Sequence, residues 1–213
     1  MIFRHAAVPP FMKNGFVLGC EETREGVIID PGDEVDELID AARDERLSIQ
    51  YILLTHAHVD HITGVGRAKA AFGAPIGLHP DDRVLYAGAV EQARMFGLDV
   101  DPQPPVDFYY GNEGPWRFGR YEVFVRHTPG HCPGGVCLTV QPPGDVRPTL
   151  IVGDTLFAGS IGRTDMPGGD YQTLIHSIRT VLFAYDDACV VWPGHGESTT
   201  IGRERRTNPF LTE

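Results

Sequence analysis

The hydrophobic positions of this chain form two kinds of pattern, short apolar runs and runs with helical spacing. Gly26–Asp30 and Ile49–Leu54 are short apolar runs that end at turn or polar residues, which is typical of buried strands. Apolar residues between these runs recur at i, i+3, i+4 and i+7, namely at Val35, Leu38, Ile39 and Ala42. This spacing predicts an amphipathic helix over residues 34–46, with Asp33 as its N-cap.

The rest of the chain continues this mixture of elements. Helical spacing predicts three more helices, over residues 65–72, 81–96 and 170–183, the last with Asp170 as its N-cap. Apolar runs predict five more strands, over residues 75–78, 121–126, 136–140, 149–152 and 189–192. Residues 97–115 carry four prolines and are predicted to form a long irregular loop. Because strands and helices mix without strict βαβ alternation, the pattern indicates one layered α/β domain over residues 1–213.

Composition and charge narrow the class of protein. Hydrophobic residues make up 42% of the 213 residues, which is enough for a sizeable core. The net charge of -11 argues against a general nucleic-acid binder, which needs clustered Lys and Arg for phosphate contacts. The chain shows neither the apolar stretch of a signal peptide nor a segment that could span a membrane. We therefore expect a cytoplasmic protein whose four scattered cysteines are reduced.

The densest chemical signal follows the strand predicted at Ile49–Leu54. Within six positions the chain carries four side chains of metal-ligand type, namely His56, His58, Asp60 and His61. Neutral imidazole and carboxylate oxygen are common ligands of zinc and other first-row metals. Without a cation, crowding these groups together would bury polar atoms at a high cost. The motif therefore predicts a metal site at the end of this strand.

Three later residues extend the metal hypothesis. His131, Asp154 and His195 each follow a predicted strand and each lie beside a glycine, which lets the backbone turn closely. In an extended segment, alternate side chains share one side, so His56 and His58 can bind one ion together with His131. Asp60, His61 and His195 can then bind a second ion, with Asp154 bridging the pair. Two such ions would hold a bridging hydroxide, since metal-bound water loses its proton near neutral pH.

Taken together, these residues resemble the signature of the metallo-β-lactamase fold superfamily, His-x-His-x-Asp-His followed by His, Asp and His. The resemblance covers essentially the whole chain. It implies a four-layer αβ/βα sandwich with a dinuclear site at one edge of the two sheets. In this superfamily the β-lactamases generally carry another residue at the bridging position, so Asp154 argues against that activity.

Within the superfamily, three segments resemble small, single-domain glyoxalase II-like hydrolases of bacteria, namely Gly153–Asp165, Pro193–Gly196 and Gly202–Leu211. This implies hydrolysis of S-2-hydroxyacylglutathione, with S-lactoylglutathione as the substrate, by a metal-bridging hydroxide. It also implies two divalent ions, zinc first and iron or manganese as alternatives. Asp60 and Asp154 are then the catalytic carboxylates, and a small-molecule thioester is the expected partner, with neither nucleic acid nor membrane.

Residues around the seven ligands receive weaker assignments. Arg163 and Tyr171 follow the Asp154 loop and are predicted to contact substrate. Asp30, Thr55 and Thr155 either orient imidazoles by hydrogen bonding or cap strand ends. Basic residues near the end of the chain are interpreted as a solvated tail, with a glutathione-carboxylate contact as the alternative, namely Arg203, Arg205 and Arg206.

Three other functions remain open from the sequence. The first is a persulfide dioxygenase, a group that the segments Ile62–Gly64 and Gly162–Asp165 also resemble. That resemblance implies a single iron held by His56, His131 and Asp154 as a two-histidine, one-carboxylate triad. The second is a lactonase that uses the same dinuclear site. The third is a metal-stabilised binding module without catalysis.

Overall fold

A computed structural model describes residues 1–111, 114–144 and 146–212. The chain divides into two compact units. The first covers residues 1–111 and 117–120, and the second covers most of the remainder. The predicted single domain over residues 1–213 stays a prediction, and its residues 112, 113, 145 and 213 lie outside the described residues.

The first unit is built on a six-stranded sheet. Its strands are β1 (Ile2–Ala6), β2 (Gly15–Gly19), β3 (Glu25–Ile29), β4 (Ser48–Leu53), β5 (Ile76–Leu78) and β6 (Phe108–Tyr109), in that order. The first three strands pair antiparallel, and β3 to β6 pair parallel. Parallel strands end at the same edge of a sheet, so the residues that follow β3 and β4 come close together there.

Among its described residues, this unit has five α-helices: α1 (Val35–Asp44), α2 (Val59–Ile62), α3 (Val65–Phe72), α4 (Arg83–Ala87) and α5 (Ala89–Met95). The apolar stripe of α1 is buried, with Val35, Leu38 and Ala42 at most 1% exposed. It shares one hydrophobic core with residues of β3, β4 and α3. This core fixes the sheet edge from which the metal motif extends.

The second unit contains a mixed sheet of its own. The chain passes between the units within β7 (Trp116–Phe118). The strands that follow are β8 (Tyr121–His127), β9 (Val136–Gln141), β10 (Thr149–Gly153), β11 (Leu156–Phe157), β12 (Ser160–Ile161), β13 (Val190–Pro193) and β14 (Thr199–Thr200), of which β11 and β12 form a hairpin. The order β14-β13-β10-β9-β8 has one parallel pair, β10 with β13. The described part of this unit also contains the helices α6 (Tyr171–Thr180) and α7 (Ile201–Thr207). The apolar stripe of α6 packs into a core with residues of β9, β10 and β13.

Most predicted elements are confirmed within one or two residues, and the helix over residues 65–72 matches α3 at both ends. The region predicted as one helix over 81–96 is instead a 3₁₀ turn, α4 and α5, interrupted at Gly88. The helix predicted over 170–183 ends at Thr180, although Asp170 does cap it by accepting a hydrogen bond from the Thr173 amide at 2.7 Å. The loop predicted over 97–115 contains β6, and its residues 112 and 113 lie outside the described residues.

The assignment of Asp33 as an N-cap is wrong. Glu34 occupies the N-cap position of α1. The carboxylate of Asp33 instead accepts a hydrogen bond from the Thr63 hydroxyl at 2.7 Å. Four further elements, β1, β2, α2 and α7, were not predicted from the sequence. β1 lacks a clean apolar pattern, α2 has only four residues and α7 is dominated by polar residues. The apolar run of β2 is the same kind of signal that predicted the other strands.

Candidate metal sites

The first group of candidate ligands, His56, His58, Asp60 and His61, is called the first cluster. It lies in the turn after β4 and in the first residues of α2. The three histidines are at most 6% exposed, and their Nε2 atoms are buried. The ring centroid of His56 lies 4.9 Å from that of His58 and 4.0 Å from that of His61. The first unit therefore brings together the imidazoles that the sequence motif predicted as ligands.

Asp30, directly after β3, forms hydrogen bonds that orient the side chains of the first cluster. Its φ angle is 48°, a left-handed conformation that Asp tolerates better than most residues. One carboxylate oxygen accepts from the Thr55 amide at 2.7 Å, and the other accepts from the Thr55 hydroxyl at 2.6 Å. The second oxygen also lies 3.0 Å from Nδ1 of His61. Since a carboxylate only accepts, His61 carries its proton on Nδ1 and directs the Nε2 lone pair outward.

The same chain of bonds sets the tautomer of His56. The Thr55 hydroxyl donates its proton to Asp30 and lies 3.1 Å from Nδ1 of His56. With its proton committed to Asp30, this hydroxyl accepts from Nδ1–H, which leaves the Nε2 lone pair of His56 available to a cation. The geometry places Asp30 and Thr55 in the imidazole-orienting role that the sequence analysis had left open.

A buried ion pair that contacts the backbone of Asp30 was not predicted from the sequence. The ammonium of Lys13 contacts the main-chain oxygen of Asp30 and lies 2.6 Å from a carboxylate oxygen of Glu34. Both side chains are 1% exposed. The same Glu34 oxygen accepts from the Gly32 amide at 3.0 Å. No sequence signal marked this pair, because Lys13 stands in a short, proline-containing segment that is typical of a solvated loop.

The residues His131, Asp154 and His195 form the second cluster, and they follow β8, β10 and β13. One carboxylate oxygen of Asp154 lies 3.7 Å from Nε2 of His131 and 3.6 Å from Nε2 of His195. Nδ1 of His131 lies 2.8 Å from the main-chain oxygen of Arg163, which only accepts, so the Nε2 lone pair of His131 faces Asp154. The second unit thus gathers the three later candidate ligands around one carboxylate.

The loop geometry around Asp154 depends on glycine. Gly153 adopts a φ of 50° at the end of β10. A Cβ atom at Gly162 would overlap the main-chain oxygen of Asp154 and lie 3.2 Å from Nδ1 of His131. Glycine is therefore required where the chain returns beneath the second cluster.

The predicted substrate residues lie close to this cluster along the chain. The guanidinium of Arg163 forms two hydrogen bonds with Asp165, at 2.7 and 2.9 Å. These bonds lower the pKa of Asp165 to about 2. Tyr171 is the first residue of α6 and is 43% exposed. The substrate contacts of Arg163 and Tyr171 stay a prediction.

Two other interpretations differ from the geometry. Thr155 bonds with the Thr128 hydroxyl at 3.1 Å and with the Cys137 thiol at 3.7 Å, which gives it a packing role beside β9. Arg205 lies over the Phe183 ring and contacts Asp187, and Arg206 reaches the same carboxylate at 3.0 Å. Arg205 and Arg206 therefore link α7 to the segment before β13, while Arg203 and Arg206 stay largely solvated, with 63% and 66% of their side chains exposed.

The donor set fits a metal. Each cluster offers imidazole nitrogens and carboxylate oxygens, the ligands that zinc, iron and manganese share. Histidine with its second nitrogen committed to a carboxylate, a hydroxyl or a carbonyl is the usual form of a metal-bound imidazole.

Across the described residues, no helix has the length and apolar character needed to cross a bilayer.

Comparisons with known proteins agree with this chemistry. Residues 8–195 match the family model of the metallo-beta-lactamase superfamily. The hydroxyacylglutathione hydrolase GloC of Haemophilus influenzae is 39% identical over 96% of this chain and 95% of its own length. Two crystal structures are also similar. BLEG-1, described as a B3 metallo-beta-lactamase, has a TM-score of 0.90 at 37% identity and covers all of both chains. TTHA1623 in a di-iron-bound form has a TM-score of 0.82 at 38% identity, over 98% of this chain and all of its own. These matches confirm the predicted fold and family, and the chain therefore belongs to the metallo-beta-lactamase superfamily, as a metallo-hydrolase.

Proposed function

We propose that this protein is a metal-dependent thioester hydrolase that cleaves S-2-hydroxyacylglutathione into glutathione and a 2-hydroxy acid. The observation that carries the proposal is the position of Asp154, whose carboxylate oxygen lies 3.6 and 3.7 Å from two imidazole Nε2 atoms. A carboxylate between two imidazoles is the arrangement needed for a ligand shared by two ions. The substrate comes from the similarity to the GloC protein, which is named as a hydroxyacylglutathione hydrolase.

The proposed ligands divide as the sequence motif suggests. His56, His58 and His131 would hold one ion, Asp60, His61 and His195 the other, and Asp154 would contact both. This division rests on the motif and on family membership. When bound, two divalent ions would supply a hydroxide nucleophile near neutral pH and would polarise a carbonyl oxygen. Zinc is the first choice and iron is a serious alternative, since the similar TTHA1623 structure is described as di-iron-bound.

The chain's own residues prepare this chemistry before any substrate arrives. Asp30 and the main-chain oxygen of Arg163 hold the protons of His61 and His131 on Nδ1, so the Nε2 atoms are ready as ligands. Asp60 keeps 14% of its side chain exposed beside His61, with 3.8 Å between the carboxylate and Nε2. A partly exposed carboxylate at this position can accept a proton from an attacking water and orient it.

The leaving group of this reaction is a thiolate, which needs little help from the protein. A thiol with a pKa of about 8.5 leaves readily as the thiolate, so the reaction needs no strong general acid. We include Arg163 and Tyr171 as substrate contacts. Asp165 already binds the Arg163 guanidinium through two hydrogen bonds, so it would compete with a glutathione carboxylate for that side chain.

The first experiment is steady-state hydrolysis of S-D-lactoylglutathione by protein loaded separately with zinc, iron or manganese. A kcat/KM of about 10⁴ M⁻¹s⁻¹ or more, in at least one metal form, supports the proposal. The same preparations are tested on a β-lactam, on a simple lactone, and for oxygen consumption with glutathione persulfide. A metal-loaded protein that turns over one of these compounds and leaves the thioester intact would overturn the proposed substrate.

A further inference from the structure

Ala57 separates the first two histidines of the metal motif, and its backbone lies outside regular secondary structure. The side chain of Ala57 is fully buried, between the end of β4 and the start of α2. Buried peptide groups need hydrogen-bond partners. Here the partners are side chains that come from later in the chain.

The side chains of two residues form hydrogen bonds with the backbone of Ala57, one with its amide and the other with its main-chain oxygen. The amide of Ala57 donates to a carboxylate oxygen of the fully buried Asp82 at 2.9 Å. Its main-chain oxygen accepts from the side-chain amide of Gln92 at 3.2 Å. The side-chain oxygen of Gln92 accepts in turn from the Val59 amide, also at 3.2 Å. One glutamine therefore bonds to the backbone on both sides of His58.

Gln92 is itself anchored. Its side-chain nitrogen also donates to the main-chain oxygen of Leu85, near the end of α4, at 2.7 Å. Gln92 lies on α5, which packs against α2, and its side chain is half-buried. The interruption at Gly88 separates α4 from α5, so Gln92 can reach both Leu85 and the turn that carries the histidines.

We propose that Gln92, with Asp82, is a positioning residue for the metal ligands His56 and His58. The orientation of the Ala57 and Val59 peptides sets the direction of the neighbouring Cα–Cβ bonds, and hence where both imidazoles point. This inference rests on the proposed metal site. It adds a residue of α5 that neither the metal motif nor the bonds around Asp30 include.

The test compares Gln92→Met with Gln103→Met, using the full-length chain. Methionine keeps the length of glutamine and removes its hydrogen bonds. Gln103 is a matched control because it is also half-buried and also bonds to backbone groups, the Gly66 amide at 3.1 Å and the Asp101 oxygen at 3.0 Å. Zinc affinity is measured by competition with a chromophoric chelator, and the melting temperature of each metal-free protein is recorded.

We expect Gln92→Met to bind zinc about 10–100-fold more weakly than the wild type, the usual cost of losing a residue that orients a ligand. Gln103→Met keeps the wild-type affinity. Hydrogen exchange of the backbone amides measures the local effect. We expect the Val59 amide to exchange faster in Gln92→Met than in the wild type. The Ala57 amide, which donates to Asp82, stays protected in both proteins.

Unchanged zinc affinity and unchanged Val59 exchange in folded Gln92→Met would overturn the inference. An equal loss of affinity in Gln103→Met would overturn it as well, because the loss would then reflect general destabilisation. A wild type that binds zinc but cleaves no thioester rejects the proposed substrate and leaves this comparison valid. A wild type that binds neither zinc, iron nor manganese rejects both proposals.

Discussion

The Asp30 carboxylate lies 3.0 Å from Nδ1 of His61, and both side chains are fully buried. The same carboxylate accepts two hydrogen bonds from Thr55, whose hydroxyl touches the ring of His56. One residue that is not itself a proposed ligand therefore sets the proton positions of two proposed ligands. Metal affinity should depend on this residue almost as strongly as on a ligand.

The variant Asp30→Asn tests this dependence. Asparagine tolerates the left-handed backbone at φ 48°, so the change isolates the loss of a carboxylate oxygen. With its oxygen on the Thr55 amide, the new side chain presents NH₂ to His61 and favours the tautomer with the proton on Nε2. We expect zinc affinity to fall about 10–100-fold, measured by chelator competition. Asp33→Asn is the control, and equal affinities in the two variants would contradict the assigned role of Asp30.

Asp154 is the next target, because its carboxylate oxygen lies close to both His131 and His195. Asp154→Ala is expected to lower metal content and to reduce thioester hydrolysis to background together. Elemental analysis and initial rates on the same preparation provide the measurement. Asp165→Ala, which removes a carboxylate beyond the β11–β12 hairpin, should keep the metal content of the wild type. An active and fully metallated Asp154→Ala protein would exclude the bridging assignment.

The local sequence pattern was sufficient to predict the strands that precede the ligands, but not the short helix α2, which carries Asp60 and His61. The apolar run before His56 and the helical spacing of Val35, Leu38 and Ala42 match β4 and α1 closely. Each candidate ligand follows a strand, as expected, since strand ends open into turns where polar side chains gather. The division of the ligands between two ions and the contact of Arg163 or Tyr171 with substrate remain predictions.

The supporting residues were harder to predict, because they act across long sequence separations. Lys13 reaches Glu34 and Asp30 from a segment that is typical of a solvated loop. Gln92 reaches Ala57 from α5, which follows a break at Gly88 within what the apolar spacing predicts as one continuous helix. Periodicity reports which face of an element is buried, but it does not report which polar side chain will meet a distant backbone group.

The close approach of Gly162 to the second cluster leads to a steric prediction. A Cβ atom there would overlap the main-chain oxygen of Asp154, so Gly162→Ala must displace either that strand end or the returning chain. We expect a loss of about 1–3 kcal/mol in the free energy of unfolding, with weaker metal binding. Gly111→Ala is the control, since a Cβ atom at that position meets no atom within 4 Å among the described residues. Equal urea-unfolding and zinc-titration results for the two variants would contradict the predicted overlap.

The buried ion pair between Lys13 and Glu34 provides the last prediction. Both side chains are 1% exposed, so Lys13→Met leaves an uncompensated carboxylate in the core. We expect this variant to lose about 3–5 kcal/mol in the free energy of unfolding, measured in urea. Adding Glu34→Gln should recover much of the loss, because glutamine is neutral and its oxygen can still accept from the Gly32 amide.

A surface ion pair serves as the control for this experiment, because losing it removes the same kind of charge interaction without leaving a buried charge. Arg67 lies 2.7 Å from Asp36, but the two side chains are 52% and 68% exposed. Arg67→Met should therefore change the free energy of unfolding by no more than about 1 kcal/mol. If Lys13→Met cost as little as Arg67→Met, or if the double variant were no more stable than Lys13→Met alone, the Lys13–Glu34 pair could not be what supports the backbone of Asp30. A large loss that Glu34→Gln partly restores is the expected signature, because only a desolvated charge without its counter-ion is penalised in this way.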